Sequence, residues 1–296
     1  MPRTPPLPPR SAPLLFTGAA GNRLVASVVG SGPRTALLLH GGGQTRHAWE
    51  GAATRLSAEG WRTVCLDQRG HGDSARAEGY TFLDYAADAA VVGRALSREG
   101  EAPVAIGASL GGIASLLALG ETPKGAPLPF RGLVLVDIVP QMDPRGVDKI
   151  QGFMRAHARE GFASIEEAAD AVAAYLPHRP RPRSLDGLRK NLRLSEDGRW
   201  RWHWDPAFLD GPRSVNVDWE LAEAKLQEAA RTLSVPTLLV RGGSSELVTP
   251  EAARSFLEMA PDAEFVDVQE ARHMVAGDAN DVFADAVVDF LGRRLG

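Results

Sequence analysis

The stretch APVAIGASLGGIASLLAL, residues 102–119, decides how this chain folds. Its first five residues form a short apolar run of the kind that is buried on both faces as a parallel strand. Its last seven, IASLLAL, read as a buried helix. Between them stands Gly107-Ala108-Ser109-Leu110-Gly111-Gly112. Glycines on either side of a serine let strand and helix approach closely through a sharp turn. The Ser109 hydroxyl is then left exposed at the carboxyl end of the strand. A G-x-S-x-G pattern is weak evidence alone, but between a strand and a helix it is specific. The competing reading is a glycine-rich turn with an incidental serine.

Working outward, similar apolar runs occur at 23–29 (RLVASVV), 35–40 (TALLLH), 62–66 (RTVCL), 132–136 (GLVLV), 236–241 (PTLLVR) and 264–268 (EFVDV). Helical patterns fall near 48–59, 82–99, 110–119, 250–259 and 279–294. That alternation predicts βα units and a mostly parallel sheet flanked by helices. Residues 140–217 break the rhythm. They hold amphipathic segments (144–160, 164–176, 184–194), then HRPRPRS and GRWRWHWDP. We read this interval as a mostly helical cap inserted after the sixth strand, with the α/β core over 14–139 and 218–296. Residues 1–13, MPRTPPLPPRSAP, read as a disordered, polyproline-like tail.

The bulk properties are ordinary for one α/β domain of 296 residues with an insertion. A net charge of -4 gives no electrostatic footprint for nucleic acid or an anionic membrane. No apolar run approaches the ~18 residues that span a bilayer. Cys65 is the only cysteine, so no intrachain disulfide forms. With no signal-like segment, these features favour the cytoplasm. Only four of the 33 basic residues are lysines, which suggests a GC-rich bacterial genome.

Three further places carry chemistry. His40-Gly41-Gly42-Gly43-Gln44 follows a strand. Glycines there free backbone N–H groups to face a developing oxyanion, with Gly42 the first choice and Gly43 the next. Leu110, directly after the serine, supplies the second donor. His40 itself reads as a brace for this loop. Of seven histidines only His273 follows the last strand, where a general base for Ser109 is expected. The acid is ambiguous: Glu246 follows strand PTLLVR, and Asp137 ends GLVLV. Glu246 is favoured and Asp137 is the alternative. His47, Trp49 and Trp204 are candidate pocket residues, although cap packing is the commoner role for Trp200, Trp202 and Trp204. No CxxC, HExxH or phosphate-loop pattern is present, so neither metal nor cofactor is expected.

Together, HGGGQ, LDQRGHGDS (66–74), GASLGG, LVLVDIVP (133–140), LLVRGGSSELV (238–248) and RHMVAGD (272–278) resemble the α/β-hydrolase superfamily. Within it, the chain resembles the bacterial branch of esterases, cofactor-free haloperoxidases and epoxide-hydrolase-like proteins. The resemblance covers about 14–140 and 218–295. It implies an eight-stranded sheet and a triad of Ser109, His273 and the acid in the loop holding Glu246, where the family more often has aspartate. A serine nucleophile disfavours epoxide hydrolase and dehalogenase activity. The expected reaction is cleavage of small or medium apolar esters or lactones through an acyl-enzyme. Three other readings stay open: a cofactor-free perhydrolase or oxygenase, a C–C hydrolase, and a hydrolase-fold receptor with little turnover. The expected partner is a small-molecule substrate, with no nucleic acid or membrane and a homodimer left open.

Overall fold

Alternate residues of the run TALLL point to opposite faces of a sheet, and both faces are covered. Leu37 and Leu39 pack into one apolar cluster, Ala36 and Leu38 into another. The structure is a computed structural model and describes residues 12–177, 184–217, 219–269, 271–273, 275 and 280–296. All but the last two residues of the expected tail, and the segment 178–183, lie outside the described residues.

Strands β1 (Leu14–Thr17) and β2 (Arg23–Val29) open the chain as an antiparallel pair. After β3 (Arg34–Leu39), a 3-10 turn over Arg46–Trp49 leads into α1 (Glu50–Ala58). Next come β4 (Trp61–Asp67), α2 (Phe82–Ala95), β5 (Val104–Ala108), α3 (Leu110–Gly120) and β6 (Gly132–Val136). The interval after β6 holds α4 (Pro144–Ala156), α5 (Ile165–Tyr175), α6 (Asp186–Arg189), β7 (Leu192–Leu194), β8 (Trp200–Trp202) and α7 (Ala207–Asp210). The remainder is α8 (Trp219–Arg231), β9 (Thr237–Gly242), α9 (Pro250–Met259), β10 (Glu264–Val268) and α10 (Asn280–Leu295).

The main sheet has eight strands in the order β1-β2-β4-β3-β5-β6-β9-β10. From β4 to β10 neighbouring strands run parallel, and β2 joins β4 antiparallel. One face carries α2, α3 and α8 over Leu37, Leu39, Leu133 and Leu135. The other carries α1 and α10 over Ala36, Leu38, Val104 and Val134. Each buried Leu or Val adds about 1.5–3 kcal/mol, and truncating Leu37 to Ala would cost about 2–5 kcal/mol. Cys65 lies mid-β4, between Ser27 of β2 and Leu38 of β3, and is 3% exposed. Burial pushes its thiol up to about 12. Among the described residues no helix is long and apolar enough to cross a membrane.

The strand order reverses at β3 and β5: the chain turns from β3 to β4 on one side, then crosses to β5 on the other. A crevice opens outside the carboxyl ends of the strands at such a reversal, and ligands bind there. The glycine loop of residues 41–43 follows β3 and Ser109 follows β5, so both face that crevice.

The interval 140–217 is less helical than its sequence suggests. The stretch 184–194 forms only the short α6 before entering the antiparallel hairpin β7–β8. Alternating tryptophans explain the extended form, since Trp200 and Trp202 pack against Phe162 and Ile165. Outside that interval, the edge strand β1 and the helix α8 also escaped the sequence reading.

Candidate active site

Ser109 stands at the start of α3 with φ 47 and ψ -114, a left-handed conformation that non-glycine residues rarely adopt. Holding it there costs about 1–3 kcal/mol. The glycines around it make the turn possible. A Cβ on Gly107 would lie 2.4 Å from the Gly111 carbonyl, and one on Gly111 would lie 2.2 Å from the Leu39 oxygen. Strand β5 and helix α3 therefore meet at backbone distance, and the serine projects from the apex.

The glycine loop is tied down by two buried histidines. His40 donates through Nδ1–H to the Gly41 oxygen at 2.8 Å, and its Nε2 accepts the Gln68 N–H at 3.1 Å. His71 donates through Nδ1–H to the Arg69 oxygen at 2.9 Å, and its Nε2 accepts the Gly43 N–H at 3.1 Å. Burial in an apolar setting disfavours the imidazolium, lowering His40 to about 4 and His71 to about 3. Both rings are neutral at pH 7 and can accept.

These bonds decide which loop amide faces the crevice. The Gly41 N–H goes to Gln44 Oε1 at 3.0 Å, and the Gln44 N–H goes to the Gly41 oxygen at 3.2 Å. Among the described residues, Gly42 alone of residues 41–44 has an N–H with no acceptor. Gly43, the second choice from sequence, is excluded as a donor because His71 takes its N–H. Leu110, at the first position of α3, also has an N–H without an acceptor inside the helix.

The acid expected from the sequence is corrected by the structure. Asp137, not Glu246, meets His273: its Oδ2 lies 2.7 Å from Nδ1. A carboxylate can only accept, so Nδ1 carries the proton and Nε2 is left as an acceptor. Asp137 is fully buried, with φ 51. Its Oδ1 accepts the Gly242 N–H at 3.0 Å and its Oδ2 also accepts the Ser245 hydroxyl at 2.6 Å. Glu246 turns the other way, into an ion pair with Lys149 of α4, with Arg272 at 3.6 Å. Gly242 at the end of β9 and Ser245 in the loop after it anchor that loop on Asp137, and Glu246 lies beyond them.

Ser109, His273, Gly42 and Leu110 line one cavity of about 700 Å³ between the carboxyl ends of the strands and the interval after β6. That is the size of a site for a drug-sized molecule. Its wall is rich in aromatic residues, among them Phe82, Phe153, Trp202, Phe208 and Trp219. Trp49 and Trp204 line it as well. His47 does not. It faces a separate cavity of about 210 Å³ with Arg46 and His203, its Nδ1 3.0 Å from Glu50 Oε1 within the same turn. Trp200 packs within the hairpin cluster instead. Gln44 and Asn191 line the large cavity and were not singled out in the sequence. The place of Gln44 beside the glycines was the only available signal, and nothing in the sequence marks Asn191. Among the described residues, no three His, Cys, Asp or Glu side chains are grouped to hold a metal ion.

A profile of the family described as serine aminopeptidase, S33, matches residues 33–280. The esterase Rv0045c of Mycobacterium tuberculosis is 30% identical over 272 residues, covering 90% of this chain and 85% of the esterase. The 2-(acetamidomethylene)succinate hydrolase of Mesorhizobium japonicum is 30% identical over 267 residues, covering 88% of this chain and 89% of that protein. A crystal structure of E-2-(acetamidomethylene)succinate hydrolase superposes with a TM-score of 0.79 at 27% identity, covering 95% of this chain and all of the other.

Proposed function

The chain belongs to the α/β-hydrolase family described as serine aminopeptidase, S33, and from that membership we propose that it is a serine hydrolase cleaving carboxylic esters or lactones. One observation carries the reading: a strained Ser109 shares a cavity with His273, whose Nδ1 is held by the buried Asp137. His273 Nε2 takes the Ser109 proton as Oγ attacks the ester carbonyl. The carbonyl oxygen becomes an oxyanion facing the Gly42 and Leu110 N–H groups, each worth about 3–4 kcal/mol to the transition state. His273 then protonates the departing alkoxide. Water, deprotonated by the same nitrogen, releases the acid from Ser109. Asp137 keeps the imidazole in the required tautomer and stabilises the imidazolium.

Ester bonds are favoured over peptide bonds because relatives at 30% identity bear the names esterase and hydrolase. The cavity's aromatic wall suits a medium-sized apolar acyl or alcohol group, and the interval over it acts as a cap that excludes water. The test is covalent labelling with a fluorophosphonate followed by ester turnover. Labelling confined to Ser109, with Ser109→Ala retaining less than a few per cent of wild-type hydrolysis, is expected. A Ser109→Ala protein that still hydrolyses esters normally removes the nucleophile. Labelling without sustained turnover points to a ligand-binding receptor.

A further inference from the structure

We propose that the cavity contains a donor-only subsite, formed by Gln44, Asn191 and Trp204, that receives an oxygen acceptor on the substrate, either a ketone carbonyl or a carboxylate. The proposal rests on the serine-hydrolase reading and names the substrate class it serves.

Each of the three side chains presents N–H and no acceptor. An amide has one oxygen and one NH₂ group. In Gln44 the oxygen is used: Oε1 accepts the Gly41 N–H at 3.0 Å. Because that partner is a donor, the amide cannot be turned round, and Nε2 is the end left over. In Asn191 the Thr45 hydroxyl donates to Oδ1 at 3.0 Å, which leaves Nδ2. Trp204 has only an indole N–H to offer. Among the described residues, none of the three N–H groups has an acceptor.

The three belong to one neighbourhood. Gln44 and Thr45 are adjacent, and Thr45 holds Asn191. The Asn191 backbone carbonyl in turn accepts the His203 backbone N–H at 2.8 Å, next to Trp204. Trp204 Nε1 stands 3.8 Å from the point a Gly43 Cβ would occupy. Trp204 is only 7% exposed and its ring edge-packs on Phe208, so its N–H is fixed in place. All three residues line the cavity with Ser109. Trp49 and Trp202 line it too, but their indole nitrogens are sealed inside the packing.

Two pairs among the cavity's other polar side chains satisfy each other. Gln151 Nε2–H donates to Asn216 Oδ1 at 2.8 Å, and Lys149 pairs with Glu246. Beside the oxyanion loop there is instead an excess of neutral donors. In an apolar enclosure such donors are costly to leave unpaired. A ligand oxygen satisfies them, and a charged one does so more strongly. A purely hydrocarbon substrate leaves all three unmet.

The experiment compares three methyl esters whose ends branch at the same carbon and have similar size: methyl 4-methylpentanoate, methyl 4-oxopentanoate and monomethyl succinate. Hydrolysis is followed by pH-stat. The oxo and carboxylate esters are expected to exceed the hydrocarbon ester in kcat/KM by at least about tenfold, the worth of one good hydrogen bond. Trp204→Phe keeps the ring and removes the N–H, so the preference falls by about threefold or more. Asn191→Asp keeps the oxygen that Thr45 contacts and turns a donor into an acceptor. It should depress the succinate ester more than the oxo ester. Equal rates for all three esters in the wild type overturn the subsite, as does a preference unchanged in both variants. If the wild type hydrolyses none of them, the serine-hydrolase reading is what fails. Calorimetry of the intact esters with Ser109→Ala then decides the subsite alone: tighter binding of the oxygen-bearing pair supports it, and equal binding overturns it.

Discussion

Asp137 reaches His273 because its backbone turns left-handed at the end of β6, with φ 51. That turn brings a short carboxylate back over the strand ends, where Gly242 and Ser245 hold it from two sides. Asp137→Asn places an NH₂ group against Nδ1 and forces the imidazole into the wrong tautomer. We expect kcat to fall by as much as ~10⁴ with KM little changed. Glu246→Gln removes only the partner of two partly exposed cations, Lys149 and Arg272, so the loss should stay below about tenfold. Measuring both variants on one ester decides between them, and the reverse pattern would return the role to Glu246. Sequence brought the choice down to these two residues. It showed that both carboxylates end strands, but backbone φ and the pull of Lys149, a residue 97 positions away, are not written locally. The same applies to Gly42 and Gly43, which differ only in that His71 captures one amide.

Among elements, α4 shows how closely the interval after β6 is seated on the core. A Cβ on Gly146 would lie 2.2 Å from the Glu246 backbone oxygen, so the helix touches the loop after β9 through a bare Cα. Gly146→Ala must push α4 outward. A stability loss of about 1–3 kcal/mol is expected, together with lower kcat/KM, because Val147 and Ile150 of the same helix line the cavity. Gly152, further along the same helix, has nothing within 4 Å of a would-be Cβ. Gly152→Ala should therefore raise stability by about 0.5–1 kcal/mol. Thermal or urea unfolding of the two variants tests the contrast, and equal effects would mean that α4 is not in contact at Gly146. The main strands and the helices after them were legible because apolar runs and caps such as Thr249-Pro250 act locally. The hairpin β7–β8 was not. Its strands are three residues each, and their pairing partner is chosen by packing on Phe162 and Ile165. β1 is four residues at the sheet edge, too short for its alternation to stand out.

For the whole molecule, the two buried histidines set a pH dependence of stability. Both have folded values below the ordinary 6.5, His40 near 4 and His71 near 3. Between those values and 6.5 the unfolded chain binds protons that the folded chain refuses, so stability rises with pH across this window and falls on acidification. Each histidine contributes a slope of up to about 1.4 kcal/mol per pH unit. Urea midpoints measured at pH 7, 6 and 5 should decline accordingly. His40→Gln should flatten the slope, whatever it does to stability at pH 7. An unchanged slope in that variant would assign the acid sensitivity to other groups.

The position of Cys65 makes the native chain its own unfolding clock. The thiol sits mid-sheet, flanked by Ser27 and Leu38 and held protonated at any ordinary pH. An alkylating reagent needs both access and thiolate, and it acquires both together only when β4 separates from its neighbours. Because there is one cysteine, the mass increase upon alkylation is a single step. Its rate, followed by mass spectrometry in the presence and absence of a bound ester analogue, reports how often β4 separates from its neighbours and how far a ligand in the cavity slows that opening.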